Sequence, residues 1–358
     1  MPSYFAGIGG QKCGTGWLSA YLKAHPQVCP SPLKEMHVFD WLFAPDLGRN
    51  TEVWAQKRIE KLQALSNRVA VATPSSDPSG HEPAESATPM FDVFLRAVPR
   101  QLEATRELLE IVTAPDRREA LRRYAAVFEG RTGPNDLIFG EITPAYCLLP
   151  PEGFEAMLAL YPAARLVFIM RDPVDRFWSA VRHKARADPT FDPAAGVTQC
   201  LQNRRFLTRS DYRRTLTVLD GSVPAQQVLT VFYEDLFAPD DDSTLRRITS
   251  FLGIDFVAGE RERRVLEGVR HPMPDEARAA LLRTCPTSTA TSPIASSQCP
   301  SAGEPDSTFS RDGRAKARQP EVVVPPPPRW HTKLLPDTTL EITDPTGRVR
   351  TSRPPPRE

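Results

Sequence analysis

The strongest constraint on the fold lies between residues 4 and 24. Tyr4-Phe-Ala-Gly-Ile8 is a short apolar run, Gly9-Gly-Gln-Lys-Cys-Gly-Thr-Gly16 a glycine-rich loop, and Thr15 to Ala24 a helical pattern that stops at His25-Pro26. A strand that passes through glycines into a helix is the opening unit of a parallel α/β sheet, because parallel strands need a crossover that packs back on them. Further runs at Leu137 to Phe139, Arg165 to Met170 and Gln227 to Phe232 predict strands. Helical patterns fill the intervals, over Val53 to Leu65, Val93 to Val112, Arg117 to Phe128, Glu152 to Tyr161, Pro173 to Arg186, Arg209 to Leu219 and Ser243 to Leu252. The runs at Tyr4 and Arg165 are continuously apolar, as expected of strands covered on both faces.

Two stretches break this rhythm. Residues 73–89 (TPSSDPSGHEPAESATP) form a polar insertion, read as a mobile surface loop. From Cys285 to Glu358 the chain carries 14 of its 37 prolines, including the tetraproline Pro325 to Pro328, with little periodicity. Such a composition buries too little apolar surface to offset chain entropy, so a disordered tail is expected there. The expected fold is therefore one α/β domain over residues 1–284, followed by a low-complexity tail.

Lys and Arg number 45 against 44 Asp and Glu, which removes any general electrostatic case for nucleic acid as a partner. The six cysteines include no CxxC pair and no His at metal-ligand spacing, so neither structural zinc nor a disulfide framework is expected. No run approaches the length of a membrane span, and the first strand begins too early for a cleaved leader, so the expectation is a soluble, cytoplasmic protein.

The loop after the first strand reads as an anion cradle. Glycines let backbone approach a phosphate, the amides of Gly14 to Trp17 open a helix whose dipole favours an anion, and Lys12 adds a positive charge. It is not a Walker A loop, since Lys12 precedes Gly14 and Thr15 follows it, and no Walker B acid is evident. A second anion site is expected at Arg171, where a buried strand ends and a helix opens with Pro173, with Ser179 roughly two turns further on. On these residues alone Arg171 could instead pair with Asp172 or Asp175. Glu35 and His37, in Leu33-Lys-Glu-Met-His-Val-Phe-Asp40, would share one face if that segment is extended. Read alone, Glu35 is either a solvated loop acid or a proton acceptor.

Together these segments resemble the sulfotransferases that use 3′-phosphoadenosine-5′-phosphosulfate (PAPS). Gly10-Gln-Lys-Cys-Gly-Thr15 with Trp17-Leu18 resembles that family's 5′-phosphosulfate loop, although Gly16 stands where Thr or Ser is usual. Arg165 to Ser179 resembles its 3′-phosphate motif. Lys34 to Asp40 resembles the KExHFFD segment of carbohydrate-type members except at Val38, and Gly140-Glu-Ile-Thr-Pro-Ala-Tyr146 resembles their GEKTPAY segment with Ile142 replacing Lys. Tyr233-Glu-Asp-Leu236 matches a further signature, read as architectural, and Pro272 to Leu282 begins the family's closing helix before the tail diverts it.

The resemblance implies a P-loop-like central parallel sheet flanked by helices. It implies that Lys12, Glu35 and His37 are catalytic, with Glu35 taking the acceptor proton. Gln11, Lys12, Cys13, Gly14, Thr15, Gly16, Trp17, Arg171 and Ser179 would hold PAPS, with no metal, and Glu141 and Tyr146 would line the acceptor site. The acceptor would be a carbohydrate, glycolipid or small alcohol. The alternatives are a nucleotide-binding relative without activity and a P-loop kinase.

Overall fold

The computed structural model describes residues 2–47, 49–72, 89–259, 271–284 and three short strands between 331 and 352. The chain divides into two units, Met1–Pro286 and Thr287–Glu358. In the first unit β1 (Ser3–Gly7) leads into α1 (Thr15–Ala24), β2 (Val28–Pro30), α2 (Val38–Phe43), α3 (Thr51–Ala72), α4 (Pro89–Val112) and α5 (Arg117–Ala126). Then follow β3 (Ile138–Ile142), α6 (Pro151–Leu160), β4 (Arg165–Met170), α7 (Pro173–Ala187), α8 (Val197–Leu201), α9 (Arg204–Thr208) and α10 (Tyr212–Ser222). The unit closes with β5 (Val228–Phe232), α11 (Tyr233–Leu236), α12 (Ser243–Leu252) and α13 (Asp275–Thr284).

The five strands form one parallel sheet in the order β2-β3-β1-β4-β5, so the α/β architecture with a central parallel sheet is as expected from the alternation of runs. From β1 the chain crosses to one side of the sheet, and from β3 it returns to the other side at β4. The order thus reverses between β1 and β4, and ligand crevices in open α/β sheets lie at the carboxyl ends of strands at such a switch. The glycine loop follows β1 and Arg171 follows β4.

Alternation along β1 divides the core. Phe5 packs with α1 and α12 through Trp17, Leu22, Leu245, Ile248 and Leu252. Tyr4 points the other way into an aromatic group, stacked on Tyr161 at 4.1 Å and edge-on to Phe139 and Phe128. A second apolar cluster ties α13 to α7 and α8 through Leu281, Ala277, Phe177, Val181 and Val197. Fully burying such a Leu or Phe stabilises the fold by roughly 1.5–3 kcal/mol.

Three differences from the sequence reading stand out. β2, α2, α8 and α9 were not foreseen, and the helix expected over 209–219 starts three residues later, at Tyr212, as α10. Asp211 caps α10 by accepting a hydrogen bond from the Arg214 amide. The expected insertion at 73–89 lies outside the described residues except for Pro89, which opens α4. Most of 285–358 lies outside them as well; within it, β6 (His331–Leu334), β7 (Leu340–Thr343) and β8 (Val349–Ser352) pair antiparallel, which the proline count did not foretell. Among the described residues no helix is long and apolar enough to cross a membrane.

Candidate active site

The loop after β1 continues the sheet ladder before it turns. The Ile8 amide donates to Val167 O at 2.9 Å and the Gly10 amide to Ile169 O at 3.1 Å, which fixes the loop against β4. The Cys13 amide then closes a turn onto Gly10 O at 3.1 Å. Lys12 and Gly14 both adopt left-handed backbone, with φ of 73° and 84°. At Gly14 this conformation favours glycine and the packing demands it, because a Cβ would sit 2.7 Å from the Phe237 ring.

Gly14 is the N-cap of α1, and the amides of Trp17 and Leu18 both donate to its carbonyl. Of the donors expected from the sequence, the amides of Gly14, Thr15 and Gly16 are those that a helix start leaves for an anion. The side chains divide similarly. Gln11, Lys12 and Gly16 are half-exposed, whereas Cys13, Thr15 and Trp17 are buried. Burial pushes the Cys13 thiol up to about 12, and the Trp17 ring stacks on Tyr21 at 5.6 Å. Cys13 and Trp17 therefore serve the loop through packing, and the structure does not bring their side chains to its open face.

Arg171 meets this loop directly. Its Nη1 donates to Lys12 O at 3.3 Å, and its guanidinium lies 4.5 Å over the Tyr233 ring at the start of α11. It forms no ion pair with Asp172 or Asp175. The Asp172 carboxylate caps α7 by accepting from the Asp175 amide at 2.9 Å, and the Asp172 amide donates to Glu234. The buried Nε of Arg171 has no partner among the described residues. Ser179 is half-buried on α7, and Arg182, His183 and Arg186 follow it at helical spacing on the same face.

These cations act on Lys12. Burial lowers its pKa from the ordinary value, and Arg171, Arg182, Lys34 and Arg186 lower it further. No carboxylate among the described residues pairs with it. His183 is likewise pulled down, by burial first and then by Lys12 and Arg186, while Glu35 opposes the shift. His183 thus feels both the loop and the segment that carries Glu35.

That segment is not extended. Glu35 and His37 have φ of 59° and 58°, two left-handed residues around Met36, and this turn brings their side chains together. His37 Nε2 lies 3.5 Å from Glu35 Oε2, and His37 Nδ1 lies 2.8 Å from Asp40 Oδ2. Asp40 is fully buried and the Glu35 side chain is 32 % exposed, so Glu35 is the solvent-facing end of the row. Lys34 Nζ approaches Glu35 at 3.6 Å, and Arg49 Nη2 donates to its carbonyl at 3.1 Å. Burial raises the Glu35 pKa, but His37, Lys34 and Arg49 outweigh it and hold the carboxyl below its usual range. Burial lowers His37, but its contacts with Asp40 and Glu35 win and raise it. The result is an ionised carboxylate backed by an imidazole whose own orientation is fixed from behind, which is the arrangement of a positioned proton acceptor.

Glu141 and Tyr146 stand behind this turn. Both are buried and hydrogen-bonded to each other at 2.7 Å, and their polar atoms meet the backbone of residues 36–39. Neither presents its polar end on an open face, so they differ in placement from the acceptor lining expected for them.

A sequence model described as the sulfotransferase family matches residues 5–258. The chain belongs to the sulfotransferase family. Solved structures similar to this sulfotransferase include a sulfotransferase from Alicyclobacillus acidocaldarius, at 21 % identity over 79 % of this chain and 90 % of that one, with a TM-score of 0.48. Another is the sulfotransferase domain of the Synechococcus PCC 7002 olefin synthase, at 18 % identity over 82 % and 90 %, TM-score 0.42. A third is the sulfotransferase domain of the curacin biosynthetic pathway, at 14 % over 83 % and 94 %, TM-score 0.43. No curated protein matches the sequence.

Four residues around this candidate site were not singled out from the sequence: Arg49, Arg182, His183 and Arg186. The spacing of the last three from Ser179, on the helix that follows Arg171, was the available signal. Arg49 offered none. Among the described residues no group of three His, Cys, Asp or Glu side chains could hold a metal ion.

Proposed function

We propose that the chain moves a sulfuryl group from PAPS to a hydroxyl or amine of a small-molecule or carbohydrate acceptor, by direct in-line transfer. The observation that carries this reading is the contact of Arg171 with the Lys12 carbonyl. It joins the two segments into one cationic site, and a nucleoside phosphorylated at two positions has use for both, whereas a single phosphate chain has use for one. The orphaned Arg171 Nε and the unpaired Lys12 amine fit such a donor, because each is a buried or half-buried cationic group that gains from an incoming anion.

The donor supplies the activated sulfuryl group. The amides of Gly14 to Gly16 hold its 5′ end, and Arg171 with Ser179 holds its 3′-phosphate. Lys12 neutralises charge on the departing phosphate, and Glu35 takes the acceptor proton at its exposed carboxylate while His37 keeps that carboxylate oriented. Arg182 and Arg186 add to the field around Lys12.

The test is incubation with PAPS labelled in the sulfuryl group and a panel of sugars, lipids and phenols. Label should pass to an acceptor, and Lys12→Ala and Glu35→Gln should each abolish its transfer. Calorimetry with adenosine 3′,5′-bisphosphate should show weaker binding in Lys12→Ala and Arg171→Ala but not in Glu35→Gln. Undiminished affinity in both of the first two variants overturns the reading. Nucleotide binding without transfer to any acceptor would point to a relative that keeps the fold and has lost the activity.

A further inference from the structure

Glu141 is a carboxylate kept inside the protein without a cation. It is 2 % exposed and forms no ion pair with any described residue. It accepts four hydrogen bonds instead: Oε1 from the hydroxyls of Tyr124 and Tyr146, both at 2.7 Å, and Oε2 from Thr143 Oγ1 at 2.5 Å and from the Met36 amide at 3.0 Å. Burying a lone carboxylate costs several kcal/mol unless its acceptor positions are filled, and a Gln or an apolar residue would fill the same space at less cost. What the carboxyl group adds is two oxygens that between them meet four directed hydrogen-bond partners.

Two of those four bonds run to the catalytic turn. One is to the Met36 amide, the residue between Glu35 and His37. The other passes through Tyr146, whose hydroxyl donates to Glu141 and accepts from the amides of Val38 at 3.3 Å and Phe39 at 3.5 Å. The amides of residues 36, 38 and 39 are thus tied to one buried carboxyl group. Glu35 and His37, interleaved with them, are both left-handed, a conformation that costs a non-glycine residue on the order of 1 kcal/mol or more and persists only where surrounding contacts hold it.

We infer that Glu141 is a positioning residue for sulfuryl transfer, which holds Glu35 and His37 in their left-handed turn through the Met36 amide and the Tyr146 hydroxyl. The inference rests on the reading of Glu35 as the base. It differs from a plain stabilising role in what it requires: loss of Glu141 must disturb the Asp40–His37–Glu35 row, whereas loss of other bonds in the same aromatic group must not. Tyr4 supplies the control, since its hydroxyl bonds to Tyr124 at 2.8 Å but to nothing in the turn.

The experiment compares Glu141→Gln, Tyr146→Phe and Tyr4→Phe in the full chain, by transfer kinetics and by the NMR titration of the His37 imidazole, assigned through His37→Asn. Glu141→Gln and Tyr146→Phe should lower kcat on the order of 100-fold, the size expected of a misplaced catalytic group, with the donor KM unchanged. In both, the His37 midpoint should fall toward that of an ordinary imidazole, as its contacts with Asp40 and Glu35 loosen. Tyr4→Phe should change neither. Wild-type kcat and an unmoved His37 midpoint in Tyr146→Phe and in a folded Glu141→Gln would overturn the inference. If Glu141→Gln fails to fold, Tyr146→Phe decides alone. If the wild-type chain transfers sulfate to no acceptor, the transfer reading fails, and the His37 titration still settles whether Glu141 positions the turn.

Discussion

Lys12 carries the most opposed demands of any residue in the site. Burial and four neighbouring cations all favour its neutral form, while the role proposed for it needs the charge. An anionic ligand reverses the balance. Binding of adenosine 3′,5′-bisphosphate at alkaline pH should therefore be accompanied by proton uptake, seen as a dependence of the calorimetric enthalpy on buffer ionisation, and Lys12→Ala should remove it. Enthalpies that are equal across buffers in the wild-type chain would count against this. His37 predicts a second pH effect with the opposite origin. Its pKa is raised in the folded state, so the folded chain holds this proton more tightly than the unfolded one. The stabilisation is complete below the unfolded value of about 6.5 and is lost as pH rises through the folded value. Denaturant midpoints should fall between pH 6 and pH 9 in the wild type and fall less in His37→Asn; equal losses would rule His37 out as the cause. Lys12, Glu35 and Arg171 were legible because each stands in a contiguous motif. The left-handed turn was not, since two-residue spacing says nothing about the sign of φ in a non-glycine residue. Arg49 and Arg182 were not either, because charge in a helix or loop reads as a solvated face until the fold is known.

The elements divide by how local their causes are. α1, α7 and α12 were legible from periodicity and flanking glycine or proline, and β4 from an unbroken apolar run. β2 is three residues ending in Pro30, too short to show alternation, and it exists because Val28 to Pro30 pair with β3 some hundred residues away in sequence. α2 is six residues of VFDWLF, apolar on nearly every face, so no period marks it. The start of α7 is the element boundary with most functional weight, because the residue before the cap is Arg171. Asp172→Ala removes that cap and should cost about 1 kcal/mol of stability. Asp116→Ala removes the matching cap of α5, where Asp116 accepts from the Glu119 amide at 2.8 Å, and should cost a similar amount. Denaturant titration should find the two losses comparable. Calorimetry should find weaker bisphosphate binding in Asp172→Ala alone, since only that cap fixes the backbone that aims Arg171. Equal affinity in the two variants would mean that β4 and Tyr233 suffice to hold the guanidinium.

At the scale of the molecule, alternation of strand and helix was enough to indicate a parallel sheet, but not its order. The placement of β3 between β2 and β1 depends on pairings across the chain, and the pairing of β1 with β4 on its other edge puts the glycine loop and Arg171, the two proposed anion-binding segments, side by side. A similar separation of local from global holds for charge. The whole chain carries a formal charge of +1, so it offers no long-range attraction to an anion. Lys12 nonetheless lies within electrostatic reach of Arg171, Arg182, Lys34 and Arg186. The screening length is about 10 Å at 0.1 M salt and about 3 Å at 1 M, so salt should weaken what this cluster does to a polyanionic ligand and leave the fold's near-neutral exterior unaffected. Affinity for adenosine 3′,5′-bisphosphate should fall on the order of tenfold between about 0.05 M and about 0.5 M salt. The dependence should be shallower in Arg182→Ala and in Arg186→Ala, each of which removes one member of the cluster. A neutral sugar acceptor should show no comparable change in KM over the same range. A bisphosphate affinity independent of salt would mean that the site binds through its amides and direct contacts, with the surrounding cations idle.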